Sequence, residues 1–260
     1  MSDRTRTPVS VVVITKNEEH RLRECLASAS WADEIIVVDD ESTDRTTELA
    51  REFTSKVFRR RMDIEGRHRN YAYSLASNDW VLSLDADERV TPGLAEEIAA
   101  LLKGRSSFDA YAIPRKNFLG NIWVRYGGMY PSAQIKLFRK SKFKFDENAE
   151  VHPQAYMDGP SGMLKGDILH YTYRDFTDAI AKLDRQTDLE AQKWFREKRK
   201  VGIFGTLRKM VDRFCRGYFA KKGYKDGVPG LFLAVNSGMY QFLSYAKYWE
   251  LIKKNNRPHG

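Results

Sequence analysis

Cysteine is nearly absent: Cys25 and Cys215 are the only two in 260 residues. That excludes a disulfide framework, and nothing pairs either thiol with a metal-ligand spacing. A reducing compartment is the expected setting. No apolar run approaches the roughly 18–20 residues needed to cross a bilayer. The first eight residues are polar and basic with no apolar stretch behind them, so no secretory signal is expected. A glycine-rich phosphate loop is missing in both its GxGxxG and GxxxxGK[ST] forms. This argues against a dehydrogenase or a P-loop enzyme. No zinc motif or RNP-type sequence supports nucleic-acid binding. There is no internal repeat and no low-complexity tract.

What is present is charge of one sign, unevenly placed. The chain carries a net +9, which favours an anionic partner. Between Lys193 and Lys225 stand twelve Lys or Arg against two acids, Glu197 and Asp212. The rest of the chain is close to neutral, so the basic character belongs to one C-terminal segment.

The first half alternates strand-like and helix-like stretches. Val9–Ile14, Ile35–Val38, Val57–Phe58 and Trp80–Leu84 read as buried strands. Helices are expected after the first, from about Asp44 to Phe53 with Ser42 or Thr43 as cap, and from Gly66 to Ala76. This order predicts βαβ units and a mostly parallel sheet with helices packed on it. A Pro92-initiated helix should follow, then a strand at Ala110–Pro114 and a shaped Gly- and aromatic-rich loop at Gly120–Pro131. Ile135–Phe138 and Phe143–Phe145 suggest a hairpin, and Asn148–His152 and Ile168–Tyr173 further extended pieces. Helices are expected at Phe176–Lys200, Phe204–Tyr218 and Leu231–Ile252, the last two separated by a Gly223–Gly230 loop.

Three strand ends carry polar groups: Thr15 and Asn17, then Asp39 and Asp40, then Asp85 and Asp87. In a βαβ sheet these ends converge on one crevice. A short side chain at the first leaves room for a planar base, and an Asp at the second can accept from that base's N–H. Asp85 and Asp87, alternate residues after a strand, suit a divalent cation that grips a pyrophosphate. Arg67, His68 and Arg69 stand where they can help hold the phosphates.

Four blocks together resemble the family 2 glycosyltransferases of the GT-A fold: Val9–Glu18 (VSVVVITKNE), Ile35–Asp44 (IIVVDDESTD), Arg69-Asn70 and Leu82–Glu88 (LSLDADE). The resemblance covers roughly residues 8–175. It implies a Rossmann-like α/β domain, a nucleotide-diphosphate-sugar donor (a UDP-sugar favoured), a divalent metal (Mn²⁺ or Mg²⁺) and inversion at the anomeric carbon. By it, Thr15, Asn17, Glu18, Asp39, Asp40, Arg69 and Asn70 would surround the donor. Asp85 would approach the ribose or metal, Asp87 would bind the metal, and His170 joins them because a late His reaches the metal in some GT-A enzymes. Phe143–Pro153 (FKFDENAEVHP), Leu164–Tyr171 (LKGDILHY) and the Leu183–Trp194 helix resemble, more loosely, lipopolysaccharide core heptose β-glucosyltransferases. The QxxRW motif of processive synthases is absent, which favours transfer of a single sugar.

An inverting displacement needs a base across the sugar from the metal. The Asp146–Glu150 stretch supplies three carboxylates. Glu150 is the preferred base, with Asp146 and Glu147 as alternatives. His152 and Arg139 are expected to meet the acceptor or diphosphate, and Trp123 to offer a sugar-stacking platform. The expected organisation is a catalytic domain over 1–175 and a basic, aromatic helical appendage over 176–260. Aromatic faces beside Lys and Arg fit an anionic membrane surface as well as ordinary packing. The expected function is single-sugar transfer to a saccharide or glycolipid, in lipopolysaccharide core or other envelope glycan synthesis, at the cytoplasmic face of the membrane. The alternatives are a sugar nucleotidyltransferase and a non-catalytic nucleotide-sugar or glycolipid-binding protein.

Overall fold

Val9 to Ile14 is β-branched except at Ser10, and such a run extends readily and packs well on both faces. It becomes an interior strand of the main sheet. The computed structural model describes residues 7–104, 106–148 and 154–255. In chain order the first elements are β1 (Thr7–Thr15), α1 (Leu22–Ser28), β2 (Ala32–Asp39), α2 (Thr46–Arg51), β3 (Val57–Arg59), α3 (Glu65–Ser74) and β4 (Trp80–Asp85). Then come β5 (Glu88–Val90), α4 (Pro92–Lys103), β6 (Ala110–Ile113), β7 (Arg115–Leu119), β8 (Ile122–Val124), β9 (Gln134–Arg139) and β10 (Phe143–Phe145). The chain continues through β11 (Ala155–Met157), β12 (Ser161–Met163), β13 (Ile168–Tyr173), α5 (Phe176–Arg196), α6 (Ile203–Cys215) and α7 (Gly227–Asn255).

Two compact units result: Met1–Arg115 with Ser132–His170, and Lys116–Pro131 with Tyr171–Gly260. The first holds a seven-stranded sheet in the order β12-β6-β9-β4-β1-β2-β3. Only β9 runs against the others, pairing antiparallel with both β4 and β6. Successive side chains of a strand point to opposite faces, and the core divides accordingly. Val9, Val11 and Val13 pack with Leu22, Leu26, Leu94 and Ile98 from α1 and α4. Val12, Ile36 and Val81 pack on the other face with Ala72 and Tyr73 of α3. The expected GT-A arrangement, a mostly parallel sheet with helices on both faces, is the one observed.

Four local expectations need correction. Ile135–Phe138 and Phe143–Phe145 do not pair as a hairpin, because β10 pairs with β11 while β9 is drawn into the main sheet. Neither Ser42 nor Thr43 caps α2; the Ser42 hydroxyl accepts from the Asn17 amide instead, and Asp44 Oδ1 accepts from Thr46 N. Gly120–Pro131 is no simple loop, since it contains β8, paired with β7, and it groups with the C-terminal helices. Gly223–Gly230 is a 3-10 turn running into α7. Pro229 stands in the first turn of α7, where its missing N–H has no intrahelical partner to lose.

In the second unit, α5 is capped by Asp175, whose carboxylate accepts from Asp178 N at 2.7 Å. The buried face of α7 is unusually small or polar: Gly230, Ala234, Gly238, Gln241, Ser244 and Tyr248. A Cβ on Gly238 would lie 2.9 Å from the Met210 carbonyl of α6, so only glycine permits that approach. Several apolar residues of α6 and α7 are left outside. Phe204 is 87% exposed, Val228 70% and Val211 55%. No described helix is long and apolar enough to cross a membrane.

Candidate donor site at the strand ends

β1 and β2 end side by side, with Thr15 and Asp39 as register partners. Asp39 is fully buried. Its Oδ2 accepts from Ser42 N at 2.9 Å, while its Oδ1 and the Thr15 Oγ1 have no hydrogen-bond partner. Buried polar atoms are ordinarily paired, because leaving one unpaired costs about 1–3 kcal/mol. Two such atoms at neighbouring strand ends therefore mark a place built for a polar ligand. Asn17, in the left-handed region at φ 53°, braces the rim: its Oδ1 accepts from Thr43 N at 2.8 Å. Glu18 N donates to Thr46 Oγ1. Asp40 accepts from Lys16 Nζ at 2.9 Å and from Met62 N at 2.7 Å. Burial alone would raise its pKa, but these two donors outweigh burial and hold it below the ordinary carboxylate range.

A cavity of about 340 Å³ opens here, lined by Thr15, Glu18, Asp40, Arg69, Asp85, Asp87 and His170 among others. A larger groove of about 840 Å³ lies beside Asn70, Phe143 and Tyr156 but includes none of the strand-end carboxylates. Size alone does not mark the site.

Asp87 Oδ2 lies 3.5 Å from His170 Nε2 and 3.6 Å from Arg21 NH1. β5 and β13 bring this about, since their antiparallel register sets His170 opposite Glu88. Asp85 is placed differently. Its Oδ2 meets Lys136 Nζ at 2.8 Å, and its Oδ1 faces Arg69 NH2 at 3.5 Å. Burial would raise the Asp85 pKa, but Lys136 and Arg69 reverse this and hold it well below the usual carboxylate range. Among the described residues, no three His, Cys, Asp or Glu side chains gather closely enough to hold a metal alone. Asp87 and His170 fit a cation that takes its remaining ligands from a diphosphate and water.

The other expected site residues are scattered. Arg69 joins the cavity and also binds Glu65 at 2.9 Å. Asn70 faces elsewhere: it spans Phe145, donating to its carbonyl and accepting from its amide, and donates to Glu147 Oε1 at 2.8 Å. Those bonds and Lys144 hold the Glu147 pKa below its ordinary value. Asp146 Oδ1 accepts from Asn148 N within a local turn. Glu150 and His152 lie outside the described residues. Arg139 is not brought to the site. It pairs with Trp80 at the opposite end of β4 from Asp85, bridges Asp79 and Asp109, and stacks on the Trp80 ring. Trp123 belongs to the second unit, where Arg125 lies 4.1 Å from its ring centroid. Arg67 pairs with Asp63 at 3.0 Å on the surface.

Three residues were not anticipated in these roles. His68 is fully buried with neither ring nitrogen hydrogen-bonded, and burial with the nearby Arg60 lowers its pKa. Lys136 and Glu88 form a buried pair at 2.7 Å beneath the Asp85–Asp87 turn. A lone lysine inside the apolar strand Ile135-Lys136-Leu137-Phe138 was the available signal.

Residues 10–164 match the family described as glycosyl transferase family 2. The chain belongs to that family. This family 2 glycosyltransferase is 24% identical over 260 residues to the lipopolysaccharide core biosynthesis glycosyltransferase LpsC of Rhizobium meliloti, covering 98% of this chain and 96% of LpsC. An uncharacterized glycosyltransferase of Rickettsia typhi is 27% identical, over 95% of this chain and 88% of its own. A crystal structure of S. aureus TarS 1-349 overlaps 97% of this chain and 93% of that one, at 16% identity and a TM-score of 0.48.

Proposed function

We propose that this glycosyltransferase moves one sugar, with inversion, from a nucleoside-diphosphate sugar to a saccharide or glycolipid acceptor, using a divalent cation. The observation that carries this reading is the unpartnered pair Thr15 Oγ1 and Asp39 Oδ1, one strand away from Asp85 and Asp87. A nucleobase offers N–H and C=O groups in one plane, which suits a hydroxyl and a carboxylate side by side. Uridine is the favoured base by family likeness. Asp87 and His170 would hold Mn²⁺ or Mg²⁺, which supplies charge neutralisation for the departing diphosphate. Arg69 adds a fixed positive charge to the same cavity. The rivals, a sugar nucleotidyltransferase and a non-catalytic binding protein, lack support from the family match.

Glu150 remains the proposed base. Glu147 is committed to Asn70 and Lys144, and Asp146 to its own turn, which makes both poorer proton acceptors. The likeness to LpsC supports an acceptor in lipopolysaccharide core or a related envelope glycan. The exposed Phe204, Val211 and Val228, set among Lys and Arg, support docking of the second unit on an anionic membrane from the cytoplasmic side.

Thermal-shift titration of nucleotide-sugars with and without Mn²⁺ tests the donor site, since a ligand selective for the folded state raises the melting temperature. A Mn²⁺-dependent shift with UDP-sugars is expected. No shift with any nucleotide-sugar would refute the reading. For the membrane face, flotation with anionic liposomes is expected at low salt and lost in Phe204→Ser/Val211→Ser.

A further inference from the structure

We propose that Lys136 is a positioning residue that divides the labour between Asp85 and Asp87. It holds Asp85 away from the cation and free to accept from a donor hydroxyl, leaving Asp87 to the metal. This rests on the donor site proposed above.

Lys136 sits on β9, the one strand that runs against the sheet, between residues of the apolar core. Its side chain is almost wholly buried. Burying an ammonium group is costly unless it is paired and hydrogen-bonded. Here Nζ donates to Asp85 Oδ2 at 2.8 Å and to Glu88 Oε2 at 2.7 Å. Glu88 is fully buried as well. Its Oε2 also accepts from the Asp85 amide at 3.0 Å, and its Oε1 faces Arg115 NH1 at 3.5 Å. Lys136 and Arg115 thus balance Asp85 and Glu88, and the same network closes the Asp85–Glu88 turn from beneath.

Asp85 and Asp87 consequently meet a metal on unequal terms. Each Asp85 oxygen already faces a cation, Lys136 on one side and Arg69 on the other. A direct Mg²⁺ or Ca²⁺ ligand needs an oxygen lone pair at about 2.0–2.6 Å. Asp85 could offer Oδ2 only by releasing Lys136 into a buried site with half its counter-charge gone. Asp87 Oδ2 has Arg21 NH1 only at the looser 3.6 Å and stands 3.5 Å from His170, a ligand when neutral, so it has no contact as close as the Lys136 bond to give up. Without Lys136, Asp85 is free to swing toward the metal. Donor recognition should then weaken while metal binding persists.

The test is donor affinity in a charge-balanced variant. Lys136→Met alone strands Glu88 in the interior, so Lys136→Met/Glu88→Gln removes one charge of each sign together. UDP-sugar binding is measured by calorimetry at saturating Mn²⁺, with Mn²⁺ affinity measured separately and folding checked by a cooperative melt. The expected result is a loss of donor affinity of tenfold or more, with Mn²⁺ affinity equal to the wild type or higher. A folded double variant with wild-type donor affinity overturns the proposal, because a purely structural pair is repaired by restoring charge balance. So does a parallel loss of Mn²⁺ affinity, which would make Asp85 a ligand. If the double variant does not melt cooperatively, Lys136→Arg replaces it. This variant keeps the charge but changes its reach, and a threefold or greater loss of donor affinity is expected; unchanged affinity overturns the proposal. Absence of nucleotide-sugar binding in the wild type would instead bring down the donor site, and this assignment with it.

Discussion

The two ends of the main sheet treat polar groups in opposite ways. At the end where β1, β2 and β4 begin, Glu34 and Arg139 are both fully answered. Glu34 accepts from Ser10, from Lys56 and from the amide and hydroxyl of Ser77. Arg139 is clamped between Asp79 and Asp109. At the end where these strands finish, Thr15 Oγ1 and Asp39 Oδ1 are unanswered, and nearby on α3 so are both nitrogens of His68. The same residue types are fully paired at one end and left with unanswered atoms at the other. Asp40 and Asp85 are paired at this end too, so the contrast lies in the few buried atoms left unanswered, not in the presence of charge.

Substitutions at each end can break that contrast. The largest effect should come from Asp87→Ala, which should lower metal-dependent transfer by about 10²-fold or more. It should also flatten the Mn²⁺ dependence of donor binding while leaving the melt nearly unchanged. At the opposite end Glu34→Ala should do the reverse, costing about 1–3 kcal/mol in urea unfolding because Ser10, Lys56 and Ser77 lose their acceptor. Donor affinity in the folded variant should be unaltered. Glu34 also sets a pH window. Burial would raise its pKa, but Lys56, Ser10 and Ser77 outweigh burial and hold it at about 2, against an ordinary 4.5. A depressed carboxyl stabilises fully above its unfolded value and loses that contribution as pH falls from about 4.5 toward 2. Glu34→Gln should flatten the fall in stability across that interval, measured by denaturant midpoints at stepped pH.

Smaller effects sharpen the same contrast. Thr15→Val should weaken donor binding by about five- to tenfold, the value of one hydrogen bond, and leave stability equal or slightly improved. A destabilised Thr15→Val would mean that the hydroxyl is structural after all. Arg139→Ala should be nearly silent, changing donor KM by less than about twofold while costing up to about 1 kcal/mol of stability.

The strands and the residues at their ends were legible in the sequence because a buried parallel sheet demands apolar runs, and polar groups stand where those runs stop. The positions of Thr15, Asp39, Asp40, Asp85 and Asp87 at the strand ends follow from that rule alone. Asn70 was misplaced because adjacency to Arg69 does not mean a shared direction: successive helical residues diverge by about 100°. Arg139 was misplaced because β9 runs backwards, which carries its C-terminal residue to the wrong edge. The same reversal hid the role of Lys136, whose partners lie on β4 and just beyond it. Pairing across strands of unknown order leaves no trace in local spacing.

The direction of β9 also has a consequence for how the protein is made. The half of the cavity proposed to read the base uses residues 15 to 40 and is local in sequence. The half proposed to hold the metal is not, since Lys136 closes on Glu88 and Asp85 across 48 and 51 residues, and His170 arrives later still. Distant contacts carry a loop-closure cost and form slowly. During synthesis, the turn at Asp85–Glu88 therefore leaves the ribosome before Arg115 and Lys136, the two cations that face Glu88, have been translated. A nascent chain stopped before Lys136 would hold that turn open and hydrated, and strand β9 acts as the bolt that shuts it.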